Sequence, residues 1–311
     1  MKKLVFILII TLAVFVFSLS CGAVGWTQLD VDMFLNIRLP RVIMAFLVGS
    51  MLAQSGALLQ LLLRNPLADG FTTGIASAAA LGAVLGMVLG LGFVFIPVVA
   101  LVFALVGLGI IFHLGRADKT FHFTTIILAG IVLNIICSAI ISFLKYYFDE
   151  SLGAVVFWLM GGFYGITYAK IIFVAVVACI GFIWSYSQAS TLNILAFDDL
   201  SANSLGVDVK KERKKFFVLA AMLTAVTVSV SGIIGFVGLI VPHLVRGIFG
   251  PDMNTNILYS SLIGANFLLL ADTLSRIIIP SGAELPVGVM TAFIGGVFFV
   301  FLLKYKVKQI W

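Results

Sequence analysis

Long apolar runs, broken by short polar stretches, carry this sequence almost from end to end. They cover residues 4–24, 42–63, 73–91, 92–112, 124–144, 170–187, 216–234, 236–249, 257–274 and 286–303. A helix of about 20 apolar residues is what the hydrocarbon core of a bilayer requires. The pattern predicts ten membrane-spanning helices, with 236–249 short for a full crossing. The run 152–164 is also apolar but too short to span. It is predicted to be an interfacial or re-entrant helix, with Trp158 and Tyr164 near the headgroups. At the N-terminus, Met1-Lys2-Lys3 and the later Ser20-Cys21-Gly22 bracket a run that could be a secretory signal. That run exceeds the ~7–15 residue core of a signal peptide and suits a first spanning helix.

Composition narrows the picture further. Of the 311 residues, 62% are hydrophobic and only 10% charged, with a mean hydropathy of +1.22. A soluble domain is about half apolar and a quarter charged. A disulfide scaffold, a nucleic-acid-binding domain and a disordered chain are excluded, and lipid is the expected solvent. Cys21, Cys137 and Cys179 are too widely spaced for a disulfide framework or metal site, and are expected as buried small hydrophobes. The net charge of +6 tests the topology. Ten spans with an inside N-terminus place 14 of the 19 Lys and Arg on the cytoplasmic side: Lys2, Lys3, Arg64, Arg116, Lys119, Lys210, Lys211, Arg213, Lys214, Lys215, Arg246, Lys304, Lys306 and Lys308. Arg38, Arg41, Lys145, Lys170 and Arg276 fall outside. That bias predicts a single multi-pass domain over 1–311 with both termini cytoplasmic.

Packing motifs fit a tight bundle. Gly82, Gly86 and Gly90 repeat at four-residue spacing, as do Ala45, Gly49 and Ala53, giving helix faces that neighbours can approach closely. Pro40 and Pro286 each sit at the start of a span, where a missing N–H is harmless.

Chemistry-bearing motifs are scarce. The chain has no G-x-x-x-x-G-K-[ST] phosphate loop, so ATP hydrolysis is not expected of it. His113, His122 and His243 are scattered, and Ser231 lacks a base motif, so no metal, cofactor or catalytic residue is predicted. All thirteen acidic residues lie at or near span ends, Asp272 being the most embedded. It stands one helical turn before Arg276, which predicts a local ion pair rather than a proton relay. The long polar interruption, 198–215, mixes charges with small apolar residues and breaks at Gly206. It is predicted to form a helix, a turn and a second helix start, a cytoplasmic platform for a soluble partner.

Six blocks resemble one family. RLPRVIMAFLVGSMLAQSGALLQLLLRNPLADGFTTGIASAAALGA (38–83) is similar to the signature of the FecCD/BtuC-type permeases of ABC importers, which carry iron–siderophore complexes, haem and cobalamin. LAGIVLNIICSAI (128–140), FWLMGGF (157–163), SLGV (204–207), GFVGLIVPHLVR (235–246) and ADTLSRIIIPSGAELPVGVMTAFIGGVFFVFLL (271–303) follow in family order. One departure is visible: a Pro usually follows the acidic residue of NPLA[DE], where this chain has Gly70-Phe71.

The resemblance implies an all-α integral membrane protein with about ten transmembrane helices, acting as the non-enzymatic translocation subunit of a binding-protein-dependent importer in the cytoplasmic (inner) membrane. It implies a homodimer with a second permease copy, two cytoplasmic ABC ATPase subunits that hydrolyse the ATP, and an extracytoplasmic substrate-binding protein. The cargo implied is a metal chelate, an iron(III)–siderophore complex first and haem or cobalamin next. The family's binding-protein docking arginines match Arg38, Arg41 and Arg276, the three whose external placement offends the charge bias. Interfacial snorkelling is the alternative reading for them. ATPase coupling falls on Ser201, Leu205, Gly206, Val207 and Arg213, and the cytoplasmic gate on Phe123, Thr124 and Thr125. An ion-coupled secondary transporter, or a channel, is the rival class.

Overall fold

A computed structural model describes residues 2–22, 30–92, 94–115, 123–148, 152–279 and 283–305. Arg116, Lys119, His122, Lys306 and Lys308 therefore lie outside the described residues. In chain order the helices are α1 (Lys2–Ser20), α2 (Val31–Met33), α3 (Leu39–Leu62), α4 (Ile75–Val88), α5 (Ile96–Gly115), α6 (Phe123–Tyr147), α7 (Leu152–Leu159), α8 (Tyr168–Ser187), α9 (Ala189–Leu195), α10 (Asp199–Ser204), α11 (Val209–Ser231), α12 (Val237–Phe249), α13 (Met253–Ile277) and α14 (Val287–Tyr305). Each of the ten apolar runs holds one of the longer helices. Among the described residues seven segments are long and apolar enough to cross a bilayer, while α4 and α12, at 14 and 13 residues, are shorter apolar helices.

Helix α3 is the hub. It packs on α11, α12 and α13 and buries most of its length. The Ala45–Gly49–Ala53 stripe explains how: Gly49 faces Gly264 and Ala265 of α13, with no room for a side chain at either glycine. The second stripe divides. Gly82 lies against Val99 and Phe103 of α5, whereas Gly90 meets open space just beyond the end of α4. Pro40 also differs from expectation. The helix does not start there but runs continuously from Val31, with one π-helical turn at Phe34–Arg38. A proline within a helix has no N–H to donate and clashes with the preceding turn, and the wider turn absorbs that conflict.

Near the bundle centre α11 ends at Ser231 and α12 begins only at Val237. Between them Gly232 turns with φ +67, and a Cβ there would strike the Trp158 carbonyl. The end of α7 and the start of α14 meet this break. Gly162 N–H donates to Ser231 O at 2.8 Å, and Gly288 N–H to Gly161 O at 3.3 Å. Helix α7 (Leu152–Leu159) is a single short helix, as the length of its apolar run dictates, and its Trp158 is packed into this junction.

The outer faces of α1, α5, α6, α8 and α14 expose Ile9, Val102, Ile135, Ile183 and Phe293 among many large apolar side chains. Such faces need lipid or another apolar surface. Cys137 is buried as expected, but Cys179 is exposed and Cys21 intermediate, because each stands at the edge of the packed interior.

Candidate functional site

Two clusters of ionic side chains lie at opposite ends of the long helices. The first gathers the end of α1, the start of α3, the end of α13 and the segment entering α14. At its centre Asp272 is fully buried. Arg41 Nε donates to its Oδ1 at 2.9 Å, and Arg41 Nη2 lies 2.9 Å from the same oxygen. Arg276 Nε stands 3.1 Å from Oδ2, the one-turn pair expected from spacing. Arg41 also donates through Nη1 to Glu284 Oε2 at 2.6 Å. A carboxylate stripped of water is tolerable only when paired and hydrogen-bonded; both guanidiniums supply the pairing and Arg41 the hydrogen bond.

The three predicted docking arginines are thus brought together, and all are more than nine-tenths buried within the chain, at 6%, 8% and 4% exposure for Arg38, Arg41 and Arg276. Arg276 donates to the Cys21 carbonyl at 2.8 Å and to Ser18 O and Oγ at 3.2 and 3.1 Å, closing the end of α1. Arg38 Nη1 donates to Leu19 O at 3.3 Å. Three arginines against Asp272 and Glu284 leave the cluster with one net positive charge.

The second cluster is the predicted platform. Asp198 caps α10 by accepting from Ser201 N at 3.1 Å, and Asp208 caps α11 by accepting from Lys211 N at 3.1 Å. Gly206 closes the turn between them with φ +82, a conformation that suits glycine. Ser201, Leu205 and Gly206 face outward, Leu205 at 61% exposure beside Leu200 at 81%. Val207 is half-buried. Arg213 is different. It turns inward and grips Asp199 with both arms, at 2.9 and 2.7 Å, so it braces the platform. Arg64 adds a bond to Asp199 at 3.0 Å and another to the Phe197 carbonyl, tying the end of α3 to the platform. The Arg213 hydrogen bond holds the Asp199 carboxyl below its ordinary range.

The expected gate begins α6. The side chains of Phe123 and Thr124 lie outside the described residues, and Thr125 is half-buried.

Sequence reasoning missed several polar groups that fix this frame. Glu284 stood only inside a motif, although its acidic type beside a short apolar run was a signal. Asp69 is buried and folds the entry to α4 by accepting from Phe71 N at 3.0 Å and Thr72 N at 2.9 Å through one oxygen. Gly70 abuts Thr224 of α11, so the Gly70-Phe71 departure has a packing cause. Gln60 donates to the carbonyls of Gly238 and Leu239 at 2.9 and 3.2 Å. Pro242 deprives Gly238 of its helical donor, and Gln60 replaces it across the helix pair. A cavity of about 440 Å³ opens among the 69–72 loop, the end of α7, the break before α12 and the start of α14, walled by Phe71, Leu159, Met160, Phe236 and Leu239.

Comparison with known proteins places this arrangement. The model of the FecCD transport family matches residues 3–305. The hemin transport system permease protein HmuU of Yersinia pestis is 36% identical over 285 residues, covering 89% of this chain and 84% of the relative. The molybdate import system permease protein MolB of Haemophilus influenzae is 34% identical over 321 residues, covering 98% and 94%. A solved structure described as an inward-facing metal-chelate type ABC transporter superposes with a TM-score of 0.90 at 31% identity, covering 97% of this chain and 99% of that one.

Proposed function

This chain belongs to the FecCD transport family and is an ABC importer permease, and we propose that its cargo is an iron(III) chelate of the siderophore type. The permease works as a homodimer, with two ATPase subunits on the Ser201–Val207 platform and an acidic binding protein at the Arg38–Arg41–Arg276 end. Both termini are cytoplasmic, which the uneven Lys and Arg distribution supports. A haem-type relative and a metal-chelate structural neighbour support the cargo class, and the apolar walls of the central cavity suit a bulky chelate better than a small oxyanion.

The single observation that carries the importer reading is the state of Asp272. An ion-coupled transporter needs a buried carboxylate free to take and release a proton. The most embedded carboxylate among the described residues is instead committed to ion pairs with Arg41 and Arg276. Energy is then supplied from outside the membrane domain, through the platform.

Reconstitution tests this directly. Uptake of a ferric hydroxamate into proteoliposomes holding permease and ATPase should require ATP and survive a protonophore, with molybdate a poor competitor. Uptake without ATP that collapses with the proton gradient would overturn the importer reading. ATP-driven uptake of molybdate alone would overturn the cargo. For docking, Arg38→Gln should slow capture of the binding protein and weaken the salt dependence of capture. An unchanged capture rate would remove the docking role.

A further inference from the structure

Arg41 is held by Glu284 through one arm only. Its Nη1 bonds the glutamate, its Nε bonds Asp272, and its Nη2, 2.9 Å from the same Asp272 oxygen, is buried with no hydrogen bond of its own. We propose that Glu284 is an internal stand-in for a partner's carboxylate: an acidic side chain arriving at this end takes Arg41 in its place and so frees the segment entering α14. This rests on the docking reading above and adds its regulation.

Three observations argue for the exchange. A carboxylate approaching Arg41 end-on can accept from Nη1 and Nη2 together, a fork stronger and more directional than the single bond Glu284 makes. Burial singles out the leaving group. The Glu284 side chain is 27% exposed, against 9% for Arg41 and none for Asp272, so Glu284 returns to water most cheaply. Charge permits the swap, since the cluster's one positive charge in excess draws an incoming acid and exchanging one carboxylate for another leaves that excess unchanged. Arg276 cannot exchange in this way, because its donors are committed to Cys21, Ser18 and Thr273.

The release has a route inward. Leu285 N–H is pinned to Ser275 O at 3.0 Å, and Val287 begins α14. Gly288 and Val289 then wall the central cavity opposite Asp69 and Phe71. Loosening Glu284 therefore frees the end of the helix that closes one side of that cavity. In the undocked protein the latch keeps that wall in place.

The test uses the permease in nanodiscs, with Cys21, Cys137 and Cys179 replaced by serine and Val287→Cys, at a fully buried position, as reporter. Maleimide labelling of residue 287 should rise about tenfold in Glu284→Gln, the worth of one hydrogen bond to a charged group. Hexaglutamate should raise labelling of the otherwise wild-type reporter, hexalysine should not, and Arg41→Lys should abolish the hexaglutamate effect. That variant keeps the charge beside Asp272 but has no fork. Unchanged labelling in Glu284→Gln, or a hexaglutamate effect that persists in Arg41→Lys, would overturn the exchange. The two readings fail separately. If Arg38→Gln slows capture of the binding protein while Glu284→Gln leaves labelling unchanged, the latch falls and docking stands. If Arg38→Gln leaves capture unchanged, docking itself falls.

Discussion

The two ends of this permease solve the same problem, an arginine beside a carboxylate, in opposite ways. At one end Asp272 is dry, clamped by two guanidiniums and surrounded by the closing turns of α1 and α13. At the other, Asp199 is gripped by Arg213 and Arg64 yet keeps half its side chain in solvent. Solvent decides what each pair is worth. A wet pair is screened and contributes little, so the platform can give way as partners move. A dry pair contributes little net energy when complete but is expensive to break, so it fixes geometry. The arginine end is built to hold one arrangement. The platform is built from caps, a glycine turn and a strut.

Mutations can break that contrast in descending order of effect. Asp272→Ala leaves Arg276 buried without a carboxylate and Arg41 with Glu284 alone, and should destabilise the protein by about 3–5 kcal/mol, seen as a large loss of thermal stability in detergent. A loss no larger than that of Arg213→Ala would mean that the cluster is wet. Gly206→Val forces a β-branched residue to φ +82, at a cost of about 1–3 kcal/mol concentrated in the platform turn. ATPase co-purification should fall while membrane insertion is kept, and normal co-purification would remove the platform from the coupling role. Arg213→Ala should cost about 1 kcal/mol, since Asp199 can turn to water.

The same pair gives a pH signature. Arg213 lowers the folded carboxyl of Asp199 below its unfolded value. Its contribution is therefore full above about pH 4 and is lost as pH falls through the lower folded value. The stability difference between wild type and Arg213→Ala should shrink in acid below that point, and a difference that grows there would contradict the assignment. Smallest of all, Glu212→Gln removes an exposed i,i+3 pair with Lys215 and should change stability by less than about 0.5 kcal/mol.

Much of this was legible in the sequence because the membrane makes the code simple. Apolar length predicted the ten helices, and small-residue spacing predicted a close approach at Gly49, though not that α13 would be the neighbour. The helix–turn–helix of the platform followed from the break at Gly206, while the capping roles of Asp198 and Asp208 came from the structure. What was not legible depends on contacts far apart in sequence. The Asp272–Arg276 pair was readable at one turn's spacing, but Arg41 reaches the same carboxylate from another helix, and no local pattern announces that. Exposure misled in the same way. Arg213, in a charged run, is a buried strut, while neighbouring Leu205 is outside. The break between α11 and α12 was placed at residue 235, but its full width, 232–236, was hidden because those residues are as apolar as the helices on either side. Its form is set by packing: Gly232 turns with φ +67 where a Cβ would strike the Trp158 carbonyl.

The contrast between the ends becomes a functional statement once each is assigned to a side of the membrane. Single cysteines decide this in the background lacking the three native ones, using Ala283→Cys beside the arginine cluster and Asn203→Cys on the platform. An impermeant thiol reagent applied to intact cells should label residue 283, and should reach residue 203 only after permeabilisation. Labelling of residue 203 in intact cells, with residue 283 protected, would invert the molecule and contradict the assignment of a binding protein to one end and the ATPases to the other.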